Sequence, residues 1–287
     1  MSRFDFAYTP SRGPDRSASV KQAKEAVAIV SQGHYQAPSG RTVDIAAAVR
    51  HAVAETVEHR PDEPIPAPEA RRRATTRAHV TNGTTLHAAQ ALAKDGTRPL
   101  VLNFASAKNP GGGFLNGARA QEESLARASA LYACIEGRAM YAHHRASSDC
   151  LYTSWMIHSP DVPVFRDCPS GELLEEPYLA SFLTAPAPNA KVVLERRPER
   201  AAEVNDEMRA RVTRSLAVAA LHGHTKLVLG AWGCGVFGND PKVVADAYAD
   251  ELAGAYAGVF EEVVFAVLDW SPERRFVRPF VERFAAS

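Results

Sequence analysis

The strongest constraint on what this chain can fold into is a change of hydrophobic period that repeats from about residue 74 onward. Runs of Val, Leu and Ile of strand length alternate with stretches in which apolar residues recur every three or four positions. Strands are expected at 78–81, 100–104, 151–158, 180–184, 226–232 and 263–268. Helices are expected at 85–94, 122–136, 200–221 and 241–257, with a terminal helical piece from Pro272. Continuous apolar strands are buried on both faces, so helices must cover both sides of one sheet, and ligands then bind at the carboxyl ends of the strands. The expected class is α/β, a mixed sheet flanked by helices on both faces. With 46% apolar and 23% charged residues among 287, the chain can fill such a core.

Ahead of this unit, Val20, Ala23, Val27 and Val30 recur at helical spacing before Gly33, and Val43, Ala46, Val49, Val53 and Val57 do so before Pro61. Two helices are expected over 18–60. Four prolines between Pro61 and Pro68 then rule out helix or central strand and mark an extended connector. The division is therefore 1–73, a helical extension with its connector, and 74–287, the main domain. The Arg71-Arg72-Arg73 run beside the connector reads as a solvated face.

Charge and cysteine usage exclude several functions. Lys and Arg number 33, as do Asp and Glu, so the chain lacks the overall positive field of a protein that tracks nucleic acid. Cys134, Cys150, Cys168 and Cys234 form no C-x-x-C pair and no Cys/His cluster of zinc spacing, so reduced thiols and no metal are expected. The ten histidines are scattered and read as surface or structural residues. Neither a secretory leader nor an apolar stretch of membrane-spanning length is visible, which points to a soluble cytoplasmic protein.

Two glycine loops follow two of the strands. Asn109-Pro110-Gly111-Gly112-Gly113-Phe114 comes after 100–104, and its three glycines let the backbone turn sharply and present N–H groups. It is not a Walker A loop, because Ala118-Arg119 stands where Lys and Ser/Thr are required. The second, 230–240, contains Gly233-Cys234-Gly235-Val236-Phe237-Gly238, a G-x-G-x-x-G run between a strand and a helix opened by Pro241, a context that favours phosphate. A dinucleotide oxidoreductase would carry an acid about 20 residues further on, whereas Asp269 lies 31 past Gly238. Two such loops better suit one diphosphate held from both sides.

Beside the first loop, Gln121-Glu122-Glu123 opens the helix marked by Leu125, Ala128, Leu131 and Ile135. Acidic residues in a first turn complement the helix dipole by about 0.3 to 1 kcal/mol. Next to an anion cradle, however, a carboxylate pair repels the ligand unless the chemistry needs an acid there.

Gly111-Gly112-Gly113 followed after seven residues by Gln121-Glu122-Glu123 resembles the G-G-G-x(6–8)-Q-E-E signature of poly(ADP-ribose) glycohydrolases, and of their bacterial-type branch in particular. Segments 103–110, 159–166 and 233–238 are similar to that branch as well, and the resemblance covers about residues 74–270. It implies a macrodomain fold and hydrolysis of the ribose-ribose O-glycosidic bond of poly(ADP-ribose) to release ADP-ribose. Glu123 would be the acid/base and Glu122 the partner that holds the ribose. Gly111, Gly112, Gly113, Gly233, Gly235, Val236 and Gly238 would hold the diphosphate, Phe237 would pack on the distal ribose, and Gln121, Asn103, Asn109 and Asn239 complete the ligand-binding set. Where animal members carry Asp and Asn this chain has Asn103 and Ser106. Asn82, Thr84 and Thr85 are candidates for the adenine.

The resemblance further implies a monomer without cofactor or metal, unaffected by chelation. It would act on poly(ADP-ribose) and ADP-ribose, bind neither nucleic acid nor membrane, and serve the DNA damage response. The alternative is a macrodomain that binds ADP-ribose without cleaving it, which would need the glycine loops but has no use for Gln121-Glu122-Glu123.

Overall fold

The computed structural model describes residues 13–66, 75–168 and 170–284. Helix α1 (Arg16–Gln32) starts where the Asp15 carboxylate accepts from Ala18 N–H, and ends at Gly33, whose φ of 76° closes the last turn onto the Ile29 carbonyl. A Cβ on Gly33 would also lie 2.6 Å from Ala46 Cβ, so glycine is required twice over, by its conformation and by the next helix packed upon it.

The second expected helix is shorter than its valine spacing suggests. Val43 lies in β2 (Thr42–Asp44), paired antiparallel with β1 (His34–Gln36), and only α2 (Ala46–Ala54) is helical. Val57 opens β3 (Val57–His59), an edge strand opposite His158. Valines spaced by three and four also suit short strands once a partner strand satisfies their backbone, and here the partners decide.

The main sheet has seven strands in the order β3-β6-β7-β5-β8-β9-β4. These are β4 (Arg77–Thr81), β5 (Leu100–Phe104), β6 (Met156–Arg166), β7 (Leu173–Ala185), β8 (Lys226–Leu229) and β9 (Glu262–Ala266). From β7 to β4 all pairings are parallel, while β6 runs antiparallel to both neighbours. Alternation within each strand divides the core. Val101, Phe182, Val228 and Val264 face α1, α2, α3 (Thr85–Ala93) and α5 (Leu131–Ile135). Leu100, Leu102, Leu227 and Phe265 face α8 (Ala201–Leu221), α9 (Pro241–Ala253) and α10 (Arg278–Phe284).

Three expectations shift in detail. The helix expected at 122–136 is two, α4 (Gln121–Ala128) and α5, because extended Ser129 bridges Val164 of β6. The strand expected at 151–158 begins at Met156, and the one at 180–184 is the end of a long hairpin arm. Two short helices, α6 (Ala139–Ala146) and α7 (Ala190–Arg196), carry no clear apolar stripe in the sequence and were not expected.

The boundary at 73 and 74 and the Arg71-Arg72-Arg73 run lie outside the described residues. Of the residues before that boundary, Ala26, Ile29, Tyr35 and Val43 share a hydrophobic cluster with Leu125, Leu131 and Phe165, and β3 belongs to the main sheet. Four histidines join β3 and β6 to the segment that precedes β8. His59 Nε2 lies 2.9 Å from His222 Nε2, His158 Nε2 lies 2.8 Å from His224 Nε2, and the His158 and His222 rings stack at 3.7 Å. Burial pushes all four down, His222 and His224 to about 4, so each pair is neutral near pH 7 and shares one N–H···N bond. The four cysteines are free thiols, and among the described residues no helix is long and apolar enough to cross a membrane.

Candidate active site

A cavity of about 520 Å³ opens at the carboxyl ends of β5, β8 and β9, lined there by Phe104, Ala231 and Ala266. Its chemistry enters through α4. The N-cap, Ala120, has no side-chain hydrogen bond, and the start of the helix is held instead by Gln121, whose Oε1 accepts from Phe104 N–H at 2.9 Å while Nε2 donates to Leu102 O at 2.7 Å. Gln121 therefore sews the helix start to the end of β5, and this sets where the next two carboxylates point.

Glu122 turns under the loop that leaves β5. Its Oε2 accepts from Ser106 N–H at 2.7 Å, and its Oε1 faces Asn103 Nδ2 at 3.5 Å, which also donates to Thr184 Oγ1. Only 4% of Glu122 is exposed, and burial, with help from the Glu123 charge, lifts its pKa to about 8 against the Ser106 hydrogen bond. Glu122 is thus mostly a neutral acid at pH 7. Glu123 has one oxygen fixed and one spare: Oε1 accepts from Gly113 N–H at 2.9 Å, whereas Oε2 is buried without a partner in the protein.

The triglycine loop wraps this second carboxylate. Gly111 and Gly112 have φ of 70° and 59°, and a Cβ on Gly112 would strike Glu123 Oε1 and come within 3.1 Å of Glu122 Oε2. The expectation for Gly111, Gly112 and Gly113 is a diphosphate, and the contacts the structure gives this loop are with the two carboxylates. None of the three lines the main cavity, and the backbone they free serves the carboxylates.

The second loop does face the cavity. Gly233, Gly235, Val236 and Phe237 line it, Trp232 anchors the turn through Nε1 to Ala185 O, and a Cβ on Gly235 would meet nothing within 4 Å. Gly238 and Asn239 stand behind the wall. Gly238 packs on Lys191, and Asn239 Nδ2 donates to Pro188 O and Gly233 O, which staples the loop, while its Oδ1 is buried without a partner in the protein. Asn103 is fully buried beneath Glu122, with its amide facing that carboxylate. Asn109 is exposed and off the cavity wall, its carbonyl closing the turn onto Gly112 N–H.

Thr84 and Thr85 line the cavity at the start of α3, but Asn82 is tied to the Asp269 backbone in both directions. Sequence reasoning missed Arg127, Arg166, Cys168, Trp270 and Phe276 on the same wall. Arg127 was within reach of it, being one helical turn beyond Glu123 on α4. Its buried guanidinium donates to Ala118 O at 2.5 Å and to Ser124 Oγ, bracing the segment between Gly113 and Gln121. Pro14 and Gln22 bring the N-terminal extension to the rim. Among the described residues no group of three or more His, Cys, Asp or Glu side chains is placed to hold a metal ion.

A carboxylate pair at a helix start, beside a nucleotide-sized cavity in a macrodomain-like sheet, defines a glycosidase of that fold. The microbial-type PARG catalytic domain, PARG being poly(ADP-ribose) glycohydrolase, matches residues 23–167. The PARG of Thermomonospora curvata is 47% identical, with a TM-score of 0.89 over 93% of this chain and 100% of that one. The same protein bound to the inhibitor ADP-HPD gives 46% and 0.85 over the same shares. The PARG of Deinococcus radiodurans in complex with ADP-ribose is 42% identical, with a TM-score of 0.79 over 85% of this chain and 99% of that one. No curated protein matches the chain. The chain belongs to the microbial-type poly(ADP-ribose) glycohydrolase family.

Proposed function

We propose that the chain cleaves the ribose-ribose O-glycosidic bond of poly(ADP-ribose) and releases ADP-ribose, with Glu123 as the group that gives and then takes the proton. The observation that carries this is the division of labour within one carboxylate. Gly113 N–H holds Oε1, and Oε2 is left buried and unpartnered at the cavity wall, free for a substrate oxygen. The relatives' complexes with ADP-ribose and ADP-HPD support the choice of ligand.

The Glu123 proton passes to the departing ribose oxygen as the glycosidic bond breaks through an oxocarbenium-like state. Charge on the ribose is offset by the substrate's own diphosphate, held by backbone N–H groups around Gly233, Gly235 and Val236, while Phe237 packs on the ribose. A water molecule then gives its proton to the Glu123 carboxylate and its oxygen to the anomeric carbon, which restores the acid. Glu122, neutral and fixed by Ser106, keeps a hydrogen bond for a ribose hydroxyl and adds no second negative charge beside the diphosphate. We also infer a cytoplasmic monomer serving the DNA damage response, which the family resemblance supports.

The direct test is incubation with poly(ADP-ribose) and detection of free ADP-ribose. Release is expected. Binding of ADP-ribose by the intact protein with no release from the polymer would favour the non-catalytic macrodomain.

A further inference from the structure

Only three non-glycine residues among the described ones have positive φ, and one of them, Tyr152 at 58°, stands directly behind the second loop. A bulky aromatic residue in the left-handed region is strained, and such strain persists only where the surroundings impose it. Here they do. The turn 149–152 is closed by Tyr152 N–H to Asp149 O, while Asp149 Oδ1 accepts from Leu151 N–H. Beneath it, the buried Arg211 guanidinium donates to Leu151 O at 2.5 Å, and Asn189 N–H reaches Cys150 O.

The strained turn aims the Tyr152 ring between two other rings. Phe237 lies 6.2 Å away centroid to centroid, tilted by 43°, and His144 lies 5.5 Å away on the other side. His144 is fully buried, its pKa pushed down to about 4 by burial, and its Nε2 accepts from Thr153 N–H at 3.2 Å. Helix α6, which carries His144, is fastened to the loop leaving β5 by Arg145 to Lys108 O at 2.7 Å and by Lys108 Nζ to Ser147 O at 3.1 Å. A continuous packed path therefore runs from the loop that holds Glu122, through α6 and Tyr152, to Phe237 in the loop that faces the ligand. On the Phe237 side, Phe237 O accepts from Lys191 N–H of α7, and the N-cap of that helix, Asn189, is the residue whose N–H reaches Cys150 O.

We infer that Tyr152 is a positioning residue for the reaction: from outside the cavity it seats Phe237 against the substrate ribose and couples the two loops. The inference rests on the reading of Phe237 as the wall of the ribose site. Tyr152 itself does not line the cavity, so it acts through Phe237.

The experiment compares Tyr152→Ala, Tyr152→Phe, Tyr152→Gly and Phe237→Ala for ADP-ribose release, ADP-ribose affinity and thermal unfolding. Misplacing one wall of a reacting centre costs about ten- to a hundredfold in rate, so kcat should fall by that much in Tyr152→Ala, with ADP-ribose affinity nearly unchanged. Tyr152→Phe keeps the ring and should restore kcat to within about twofold of the parent. Glycine adopts φ near 58° without strain, so Tyr152→Gly should keep Tm near the parent value while showing the same fall in kcat, a split that a merely structural residue would reverse. Should Tyr152→Ala not fold, the Phe and Gly variants decide. A Phe237→Ala variant with parental kcat and KM would remove the ribose reading itself. Impaired Phe237→Ala with Tyr152→Ala and Tyr152→Gly at parental rates would overturn the strut alone.

Discussion

The two glycine loops look alike in sequence and do opposite things in the structure. Gly111 and Gly112 use positive φ to fold the backbone inward, where Gly113 N–H meets a carboxylate, and a side chain at 112 would collide with that carboxylate. The loop that follows β8 uses Gly233, with φ of 73°, to turn around the Asn239 staple, and leaves Gly235 beside open space on the cavity wall. One loop is complementary to a carboxylate of its own chain, and the other borders the cavity. Freedom from a Cβ is common to both, and the direction in which the missing Cβ would point tells them apart.

The largest effect that tests this contrast belongs to Glu123→Gln. Glutamine can still accept from Gly113 N–H but carries no transferable proton, so ADP-ribose release should fall by about 10²- to 10⁴-fold. Affinity for ADP-ribose should hold, because the second loop is untouched. Parental release from a folded Glu123→Gln protein would remove the catalytic assignment. Gly112→Ala should come next. Its methyl group would displace the same carboxylate, at a cost of about 10²-fold in kcat, and the left-handed backbone adds about 1–2 kcal/mol of destabilisation. Calorimetry should show ADP-ribose affinity little changed, and a large loss of affinity would put the first loop back on the ligand.

Gly235→Ala is the mirror experiment in the second loop. Gly235 has no positive φ and its Cβ would clash with nothing, so Tm should stay within the scatter of surface substitutions. A methyl group on the ligand-facing backbone should instead weaken ADP-ribose binding by about tenfold, the worth of one charge-assisted hydrogen bond. Together, Gly112→Ala and Gly235→Ala should separate rate from affinity, and the contrast fails if both variants lose both or if their losses are exchanged.

Much of this was legible in the sequence, for reasons that can be named. Continuous apolar runs of strand length alternating with the 3.6 period determine the layer order, because such strands have no other way to be covered. Gln121-Glu122-Glu123 was legible because a helix start projects successive side chains in known directions. Val43 and Val57 were misread because their strand partners, Tyr35 and His158, are set by tertiary pairing that local spacing does not encode. For Gly112 and Asn103 the sequence indicates the region, and the fold adds the carboxylate neighbours. Composition shows that backbone is freed or that an amide is present, and only the fold shows that both are aimed at carboxylates. Tyr152 gave no signal, since no turn chemistry calls for tyrosine at φ of 58° and the strain comes from packing on three sides.

The smallest effect at neutral pH should come from Glu122→Gln, and it sharpens the contrast within the acidic pair. Glu122 is held mostly protonated below about 8, so glutamine imitates the form already present, and the rate at pH 7 should fall far less than in Glu123→Gln. The difference grows with pH. A carboxyl whose pKa rises from 4.5 in the unfolded chain to about 8 in the fold keeps a proton that the unfolded chain has already released. Between those two values the unfolded state binds fewer protons, and stability is lost as pH rises. Below 4.5 both states are protonated and the penalty is absent; above 8 it is complete. The gain in Tm of Glu122→Gln over the parent should therefore be smallest near pH 4, climb through the interval and level off above 8, with the histidine seam contributing equally to both proteins. The alkaline limit of the parent's kcat/KM near 8 should be missing in the variant. A Tm difference that does not change with pH would show that Glu122 is already ionised in the fold, and the assignment of a neutral ribose-holding acid beside an anionic ligand would have to be withdrawn.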